Sequence, residues 1–379
     1  MLTKDQQQNQ SVEEWWPNKP PIYDIEESYL HNAEEGPFFQ GEILERRRPD
    51  EENWTDFLGY KVASPIGIPA GPLLNSKWIG LAADLGYDIL CYKTIRSKEQ
   101  PGHSVPNMVY VECEEQLIPG QLPDHLTTRE TPPLQIDKVT VTNSFGMPSR
   151  SHEYLAKDIP KAMKLLHRGQ VMIVSIVGTP NGNDFDSFLQ DFITVAKQAK
   201  EYGAKIIEAN FSCPNVTTGE GELHTNPETV RTLTSALTKA IGDIPLIIKV
   251  GIFEDLRVME ETLIAAAQGG ARAICGINTI SMKVVDPIGL PALGVKRLKS
   301  GICGHPIRYA ALEFTREALQ INNRHNLGLK IMSTGGALLP DHLTEFIDAG
   351  ADVAMTATGM MWDPYLAYRY HQQEREIYA

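Results

Sequence analysis

Three consecutive stretches, 171-VMIVSIVG-178, 184-DFDSFLQDFITVAKQAKEYG-203 and 206-IIEANFS-212, decide the reading of the fold. The outer two are short, nearly continuous apolar runs, as expected of strands covered on both faces, and the middle one is amphipathic at helical spacing. The same alternation runs outward in both directions. Towards the N-terminus lie 64-SPIGIPAG-71, a helix-like 76-SKWIGLAADLG-86 and 89-ILCYKT-94. Towards the C-terminus lie helix 226-NPETVRTLTSALTKAIG-242, strand 246-LIIKVGI-252, helix 255-DLRVMEETLIAAAQGG-270 and strand 273-AICGIN-278. A long Gly-rich loop then precedes helix 306-PIRYAALEFTREALQI-321, strand 329-LKIMSTGG-336, helix 341-DHLTEFIDAG-350, strand 352-DVAMTA-357 and a last short helix. Eight strands joined by helical crossovers predict an α/β protein, a TIM (β/α)8 barrel. The alternative, an open doubly wound sheet, lacks a GxGxxG turn after its first strand, and its chemistry would gather at one crevice instead of recurring after most strands.

The remaining sequence predicts two additions to the barrel. Residues 97–170 exceed an ordinary βα unit, and their β-like 108-MVYVE-112 and 136-IDKVTV-141 predict a small β-rich insertion over the barrel mouth. Residues 1–60 show no sustained period but carry Trp15, Trp16, Tyr23, Phe38, Phe39 and Trp54. Such aromatic area calls for burial, so the segment is expected to wrap the barrel formed by residues 61–379. Its Arg46-Arg47-Arg48 run, flanked by acids, is read as a solvated or ion-paired surface feature.

The chain has 379 residues, 42% of them hydrophobic, with 35 basic against 48 acidic side chains and a net charge of −13. That balance argues against nucleic acid as a partner, because phosphate contacts need a cationic face. Five cysteines without CxxC spacing, and no helical His/carboxylate pairing, give no metal or cluster site. No apolar run reaches the ~20 residues of a membrane span, and the N-terminus lacks a signal-peptide core, so a cytoplasmic protein with reduced thiols and no membrane partner is expected.

Barrel chemistry sits at the carboxyl ends of the strands. Strand one ends in Ala70-Gly71, strand two in Lys93-Thr94, strand four in 210-NFSCPN-215, strand five in Lys249, and strand six in Asn278-Thr279. The excursion carries 142-TNSFGMPS-149. Two lysines at inward strand ends are costly to bury unpaired, so they call for an anionic ligand, or else for a strand-end acid such as Glu208. Asn143, Asn210, Asn215 and Asn278 each offer a donor and an acceptor, a set able to read an amide or ureide edge, although each alone could serve a turn. Gly335-Gly336 and the turn at Ala357-Thr358, with Gly301 and Gly304, suit a phosphate cradle of bare backbone amides. Cys213, stiffened by Pro214, is the candidate reactive thiol. The other four cysteines are read as small buried apolar residues, and His152, His224 and His305 as solvated polar groups.

Asn210-Phe-Ser-Cys-Pro-Asn215 closely resembles the Asn-x-Ser-Cys-Pro-Asn signature of the dihydroorotate dehydrogenases, in the class 1 form that carries Cys. The resemblance spans residues 62 to about 370, and its further pieces occur in family order. Ala70-Gly71, Lys93-Thr94, Asn143-Ser-Phe-Gly-Met-Pro148, Lys249, Ile277-Asn278-Thr279, Gly301-Ile-Cys-Gly304, Ser333-Thr-Gly-Gly336 and Ala357-Thr358 match its strand ends and FMN-binding turns. The resemblance implies an FMN enzyme oxidising (S)-dihydroorotate to orotate in pyrimidine synthesis. It implies that Cys213 removes the C5 proton while the C6 hydride passes to flavin N5. Lys249 would lie at the flavin pyrimidine edge, and Lys93 between flavin and substrate. The four asparagines and Thr279 would bind substrate, with the backbone of Gly146 and Met147 as one wall and loop 214–225 as a lid. A homodimer is usual in the family.

Two departures stand out. The extension before residue 60 has no counterpart in the short class 1 enzymes and lacks the membrane helices of class 2. Residues 278–304, with Pro291-Ala-Leu-Gly294, also resemble the flavin domain of dihydropyrimidine dehydrogenases, which makes dihydrouracil or dihydrothymine chemistry the rival. That group tends to carry His where Asn215 stands. A Schiff-base lysine at Lys249 and a non-catalytic scaffold are the readings from other classes.

Overall fold

A computed structural model describes residues 20–182, 184–212 and 222–378. Cys213, Pro214, Asn215 and most of the expected lid lie outside the described residues. Eight parallel strands close into a barrel: β1 (Ile66–Ile68), β2 (Ile89–Ile95), β3 (Val171–Ile176), β4 (Ile206–Asn210), β5 (Leu246–Lys249), β6 (Ala273–Gly276), β7 (Lys330–Thr334) and β8 (Val353–Met355). Neighbours follow chain order around the ring, and β8 pairs with β1 through Ala354 opposite Ile66. Every residue of β3 is buried, as a strand covered by helices outside and by the barrel core inside requires.

The inward layer contains Ile89, Cys91, Ile173, Ile206, Ile247, Cys275 and Met332. A hairpin of Thr55–Phe57 with Tyr60–Val62 contributes Phe57, Leu58 and Val62 to that same cluster, plugging the end where the strands begin. The expected boundary at residue 60 falls inside this hairpin. Outside the ring, helix Phe185–Glu201 turns Phe188, Phe192, Val195 and Ala199 inward. Its start is fixed by Asp184, whose carboxylate accepts from the amides of Asp186 and Ser187. Asn226 does the same for helix Pro227–Ile241, which has proline at its first position.

The insertion differs from its prediction. Met108–Glu112 is a strand, but residues 136–138 form a 3-10 turn, and the strand beyond it is Thr140–Asn143. The stretch after β6, read as an open loop, contains two strands, Ile280–Val285 and Lys299–Gly304. With Met108–Glu112, Leu126–Thr128 and Thr140–Asn143 they close a second, five-stranded barrel. Ile280, Met282 and Val284 are buried while Ser281 and Lys283 are not, so the strand period was present in the sequence beneath the Gly/Pro signal that follows it.

Residues 20–54 lie against the barrel. Ser28 caps helix Tyr29–Glu35, and Tyr23 packs on Trp78 and Phe145 with ring centroids 5.8 and 6.3 Å apart. Of the arginine run, Arg46 is not on the surface. It pairs with the fully buried Asp88 at 2.9 Å and donates to the Gly86 carbonyl at 2.8 Å, while Ser64 Oγ donates to the other Asp88 oxygen at 2.6 Å.

Candidate active site

The carboxyl ends of the strands surround a cleft enclosing about 1260 Å³ including its open mouth. Its wall contains Ala70 and Gly71 after β1, Lys93 and Thr94 on β2, Asn210 on β4, Lys249 on β5, Ile277, Asn278 and Thr279 after β6, Gly335 and Gly336 after β7, and Ala357 and Thr358 after β8. Asn143, Met147 and Gly304 reach the same cleft from the small barrel and its loop. The structure thus gathers sixteen of the predicted positions in one place. Gly146 and Gly301 are not among the lining residues. Gly146 has φ +75° with the His103 ring packed against it, and Gly301 is held within a strand opposite Asn143 and against Thr279. Gly301 therefore shapes the register of the wall instead of belonging to an open cradle.

Register explains why the polar groups converge. Asn210 and Lys249 are partners across β4 and β5, and Lys249 is level with Cys275 on β6. The Asn210 side-chain oxygen accepts from the Ser212 amide at 3.0 Å, and the Asn278 carboxamide donates to the Ser212 carbonyl at 2.7 Å. Both asparagines thereby hold the backbone that leads into Cys213. Asn143 Nδ2 donates to Cys303 Sγ at 3.1 Å, and Thr94 Oγ1 donates to Ser175 Oγ at 3.1 Å. Arg96 donates to the Met147 carbonyl at 2.9 Å, pinning the loop after Asn143 to the barrel.

Lys249 Nζ donates to the Ala70 carbonyl at 3.4 Å. Burial works against its charge, but the Glu208 carboxylate and nearby thiols outweigh that, holding the ammonium above the ordinary lysine value. Lys93 is likewise buried at the wall. Gly335 and Gly336 have φ +135° and +75°, and a Cβ on Gly336 would lie 2.7 Å from the backbone nitrogen of Arg308, which opens helix Arg308–His325. Only bare backbone fits there, and its amides stay open to an anion.

Several lining residues were given no role by the sequence. Cys303 is a second thiol at the wall; burial pushes it up to about 12 despite the opposing pull of Asn143 and Lys249, so it stands as a neutral thiol near neutrality. Tyr23 and Tyr29 come from the N-terminal segment, where no periodicity flagged them, and Phe145 was quoted only as part of a motif. His224 and His305 are buried against backbone carbonyls instead of solvated: His224 lies 3.0 Å from the Ile252 oxygen and His305 lies 2.9 Å from that of Glu114. No group of three His, Cys, Asp or Glu among the described residues could hold a metal ion, and none of their helices is long and apolar enough to cross a membrane.

A family model described as dihydroorotate dehydrogenase matches residues 128–376. This chain belongs to the dihydroorotate dehydrogenase family. It is 47% identical to a dihydroorotate dehydrogenase of Dictyostelium discoideum over 95% of this chain and 99% of that protein. It is also similar to the NAD-dependent dihydropyrimidine dehydrogenase subunit PreA of Escherichia coli strain K12, at 26% identity over 80% of this chain and 67% of that one. Among solved structures, the enzyme of Eimeria tenella in complex with ferulenol superposes with a TM-score of 0.67, covering 88% of this chain and 86% of its own. At 18% identity that neighbour speaks to the fold, a barrel shared across the family.

Proposed function

We propose that this chain oxidises (S)-dihydroorotate to orotate, with FMN as cofactor, in pyrimidine biosynthesis. The observation that carries the reading is the convergence of Lys93, Asn143, Asn210, Lys249 and Asn278 on one cleft whose far side is a side-chain-free Gly335-Gly336 turn. The donor set suits the flavin nucleotide. Gly335, Gly336 and the Ala357-Thr358 turn would take the phosphate, Ala70, Gly71 and Thr94 would flank the ring, Ile277 would pack on it, and Lys249 would face its pyrimidine edge. Gly301 and Gly304 would fix the strand behind that turn. Bound FMN supplies the acceptor for the substrate's C6 hydride.

The protein's own groups do the rest. The carboxamides of Asn143, Asn210, Asn215 and Asn278, with Thr279 and Lys93, hold the ureide edge and the carboxylate. The backbone at Gly146 and Met147 closes one side of the substrate loop, which Arg96 clamps through the Met147 carbonyl. Cys213 Sγ takes the C5 proton. Cys303 cannot replace it near neutral pH, because burial keeps its thiol protonated. Residues before the hairpin at 55–62 act as an extension wrapped on the barrel, a reading supported by the contacts of Tyr23 and Arg46. We further infer a homodimer, from the family, and a reducing, cytoplasmic setting, supported by four described cysteines that are all unpaired.

The E. coli PreA relative favours dihydropyrimidine oxidation or reduction as the second reading. One anaerobic experiment separates them. The purified protein should show a yellow flavin band that dihydroorotate bleaches and dihydrouracil does not. Bleaching by dihydrouracil alone would move the assignment to the second reading, and a colourless protein that gains no band with added FMN would end both.

A further inference from the structure

The barrel interior contains one group that the site described above does not use. Glu208 on β4 is 0% exposed, two residues before Asn210 and on the same inward face. Its immediate layer is otherwise apolar or thiol, apart from the hydroxyl of Ser175. Oε1 accepts from Cys91 Sγ on β2 at 3.8 Å, and Oε2 is buried without a hydrogen-bond partner. Burial, and then Glu208, push the thiol of Cys275 on β6 well above its ordinary value. Glu208 pairs in register with Ile247, so Lys249 stands one inward position further along the adjacent strand, directly towards the cleft. A carboxylate stripped of water with an oxygen left unpaired costs several kcal/mol unless a cation compensates it. Lys249, raised above the ordinary lysine value in part by Glu208, is that cation.

We propose that Glu208 is a positioning residue for the flavin: its buried carboxylate fixes the positive charge of Lys249 at the cleft wall and so sets how strongly the bound ring holds electrons. This rests on the FMN reading given above. Glu208 does not touch the cleft. It acts through Lys249, whose donors remaining beyond the Ala70 carbonyl are available to the flavin edge. With the carboxylate removed, the largest influence opposing desolvation at Lys249 is lost, which favours the neutral amine. Reduction of the ring would then draw a proton back onto Lys249. The groups facing Glu208 are Cys91 from β2, Cys275 from β6 and Lys249 from β5, with neutral Ser175 opposite on β3. Burial, and then Glu208 itself, holds both thiols well above their ordinary value, which leaves Lys249 as the responsive charge.

The test is a pH series of flavin midpoint potentials on the holoenzyme and its Glu208→Gln variant, with Lys249 followed by the NMR shift of its labelled Cε. In the wild type, Lys249 should stay protonated beyond the ordinary lysine range. In the variant its proton affinity should drop at least tenfold. Its potential should also fall more steeply with pH, because one further proton per two electrons makes each pH unit an extra tenfold change, about 30 mV. Adding Lys249→Arg to Glu208→Gln should restore the wild-type slope, since arginine does not titrate there. Identical lysine titrations and slopes in wild type and Glu208→Gln would overturn the proposal. So would a wild-type Lys249 that titrates at or below the ordinary lysine value, a measurement that needs no variant. A wild-type protein that binds no FMN would instead refute the functional reading.

Discussion

Gly336 offers the most direct physical test of the anion cradle. It sits at φ +75°, where an alanine costs roughly 1–2 kcal/mol in backbone strain. An added Cβ would also meet Arg308 N and Cβ at 2.7 Å and Arg308 Cα at 2.8 Å. Those atoms are the first turn of an eighteen-residue helix, which cannot step aside as a flexible side chain could. Overpacking of that kind adds roughly 1–3 kcal/mol, so Gly336→Ala should lose about 2–5 kcal/mol. Gly328 isolates the strain, because its φ is +70° and nothing lies within 4 Å of its added Cβ. Gly328→Ala should lose only the first contribution. Urea unfolding of the two variants gives the difference, and flavin content of the purified proteins gives the consequence. If the loop after β7 is driven away from Arg308, Gly336→Ala should lose FMN affinity by at least tenfold for each ~1.4 kcal/mol of distortion, while Gly328→Ala keeps its flavin. A Gly336→Ala protein as stable as Gly328→Ala and fully yellow would refute both the packing and the cradle.

Three further outcomes are expected. Arg46→Ala leaves Asp88 buried and uncompensated, and should cost about 3–5 kcal/mol in urea unfolding; a loss under about 1 kcal/mol would show the pair to be incidental. Cys213→Ser should keep the flavin but slow its reduction strongly at neutral pH, because a hydroxyl ionises far less readily than a thiol; equal rates in stopped flow would remove Cys213 as the base. His342 is held down to about 4, by burial first and then by Arg308, so the unfolded chain takes up a proton there before the folded one does. Its contribution to stability should be full above the ordinary histidine value and decline as pH falls from about 6.5 towards 4, and His342→Gln should flatten that part of the pH–stability curve by one proton's slope.

The barrel was legible because its strands are buried on both faces. Runs such as Val171–Ile176 and Ile206–Asn210 are continuous and short, and the helices between them carry Asp184 or Asn226 where a cap must be. Most cleft residues were legible for the same reason, since a strand end in a barrel is also a wall of the site. What escaped depended on long-range pairing. Lys299–Gly304 has no partner nearby in sequence except Ile280–Val285, and its other neighbour is Thr140–Asn143. The turn residues between the first two suggested an open loop. Arg46 was read as solvated or ion-paired at the surface; it is ion-paired, but inside, because its partner Asp88 lies in a segment that gave no sign of an internal acid. Cys303 was read as a buried apolar residue but is only half-buried, beside Asn143 at the cleft wall; a thiol there and a thiol in a core leave the same mark on a sequence.

The five-stranded barrel over the mouth also bears on how the protein is made. Asn143, a proposed substrate ligand, pairs with Met108 on one side but gains its second strand partner only when Gly301 exists, 158 residues later (301 − 143). At ribosomal rates of about 5–20 residues per second, that interval lasts roughly 8–30 s. Through it, Met108–Glu112, Leu126–Thr128 and Thr140–Asn143 can pair with one another, but the ring they belong to stays open along two edges. Open edges of that kind recruit strands from other nascent chains. Substitutions in Ile280–Val285 should therefore surface as insoluble product at high expression more than as altered kinetics in the fraction that folds.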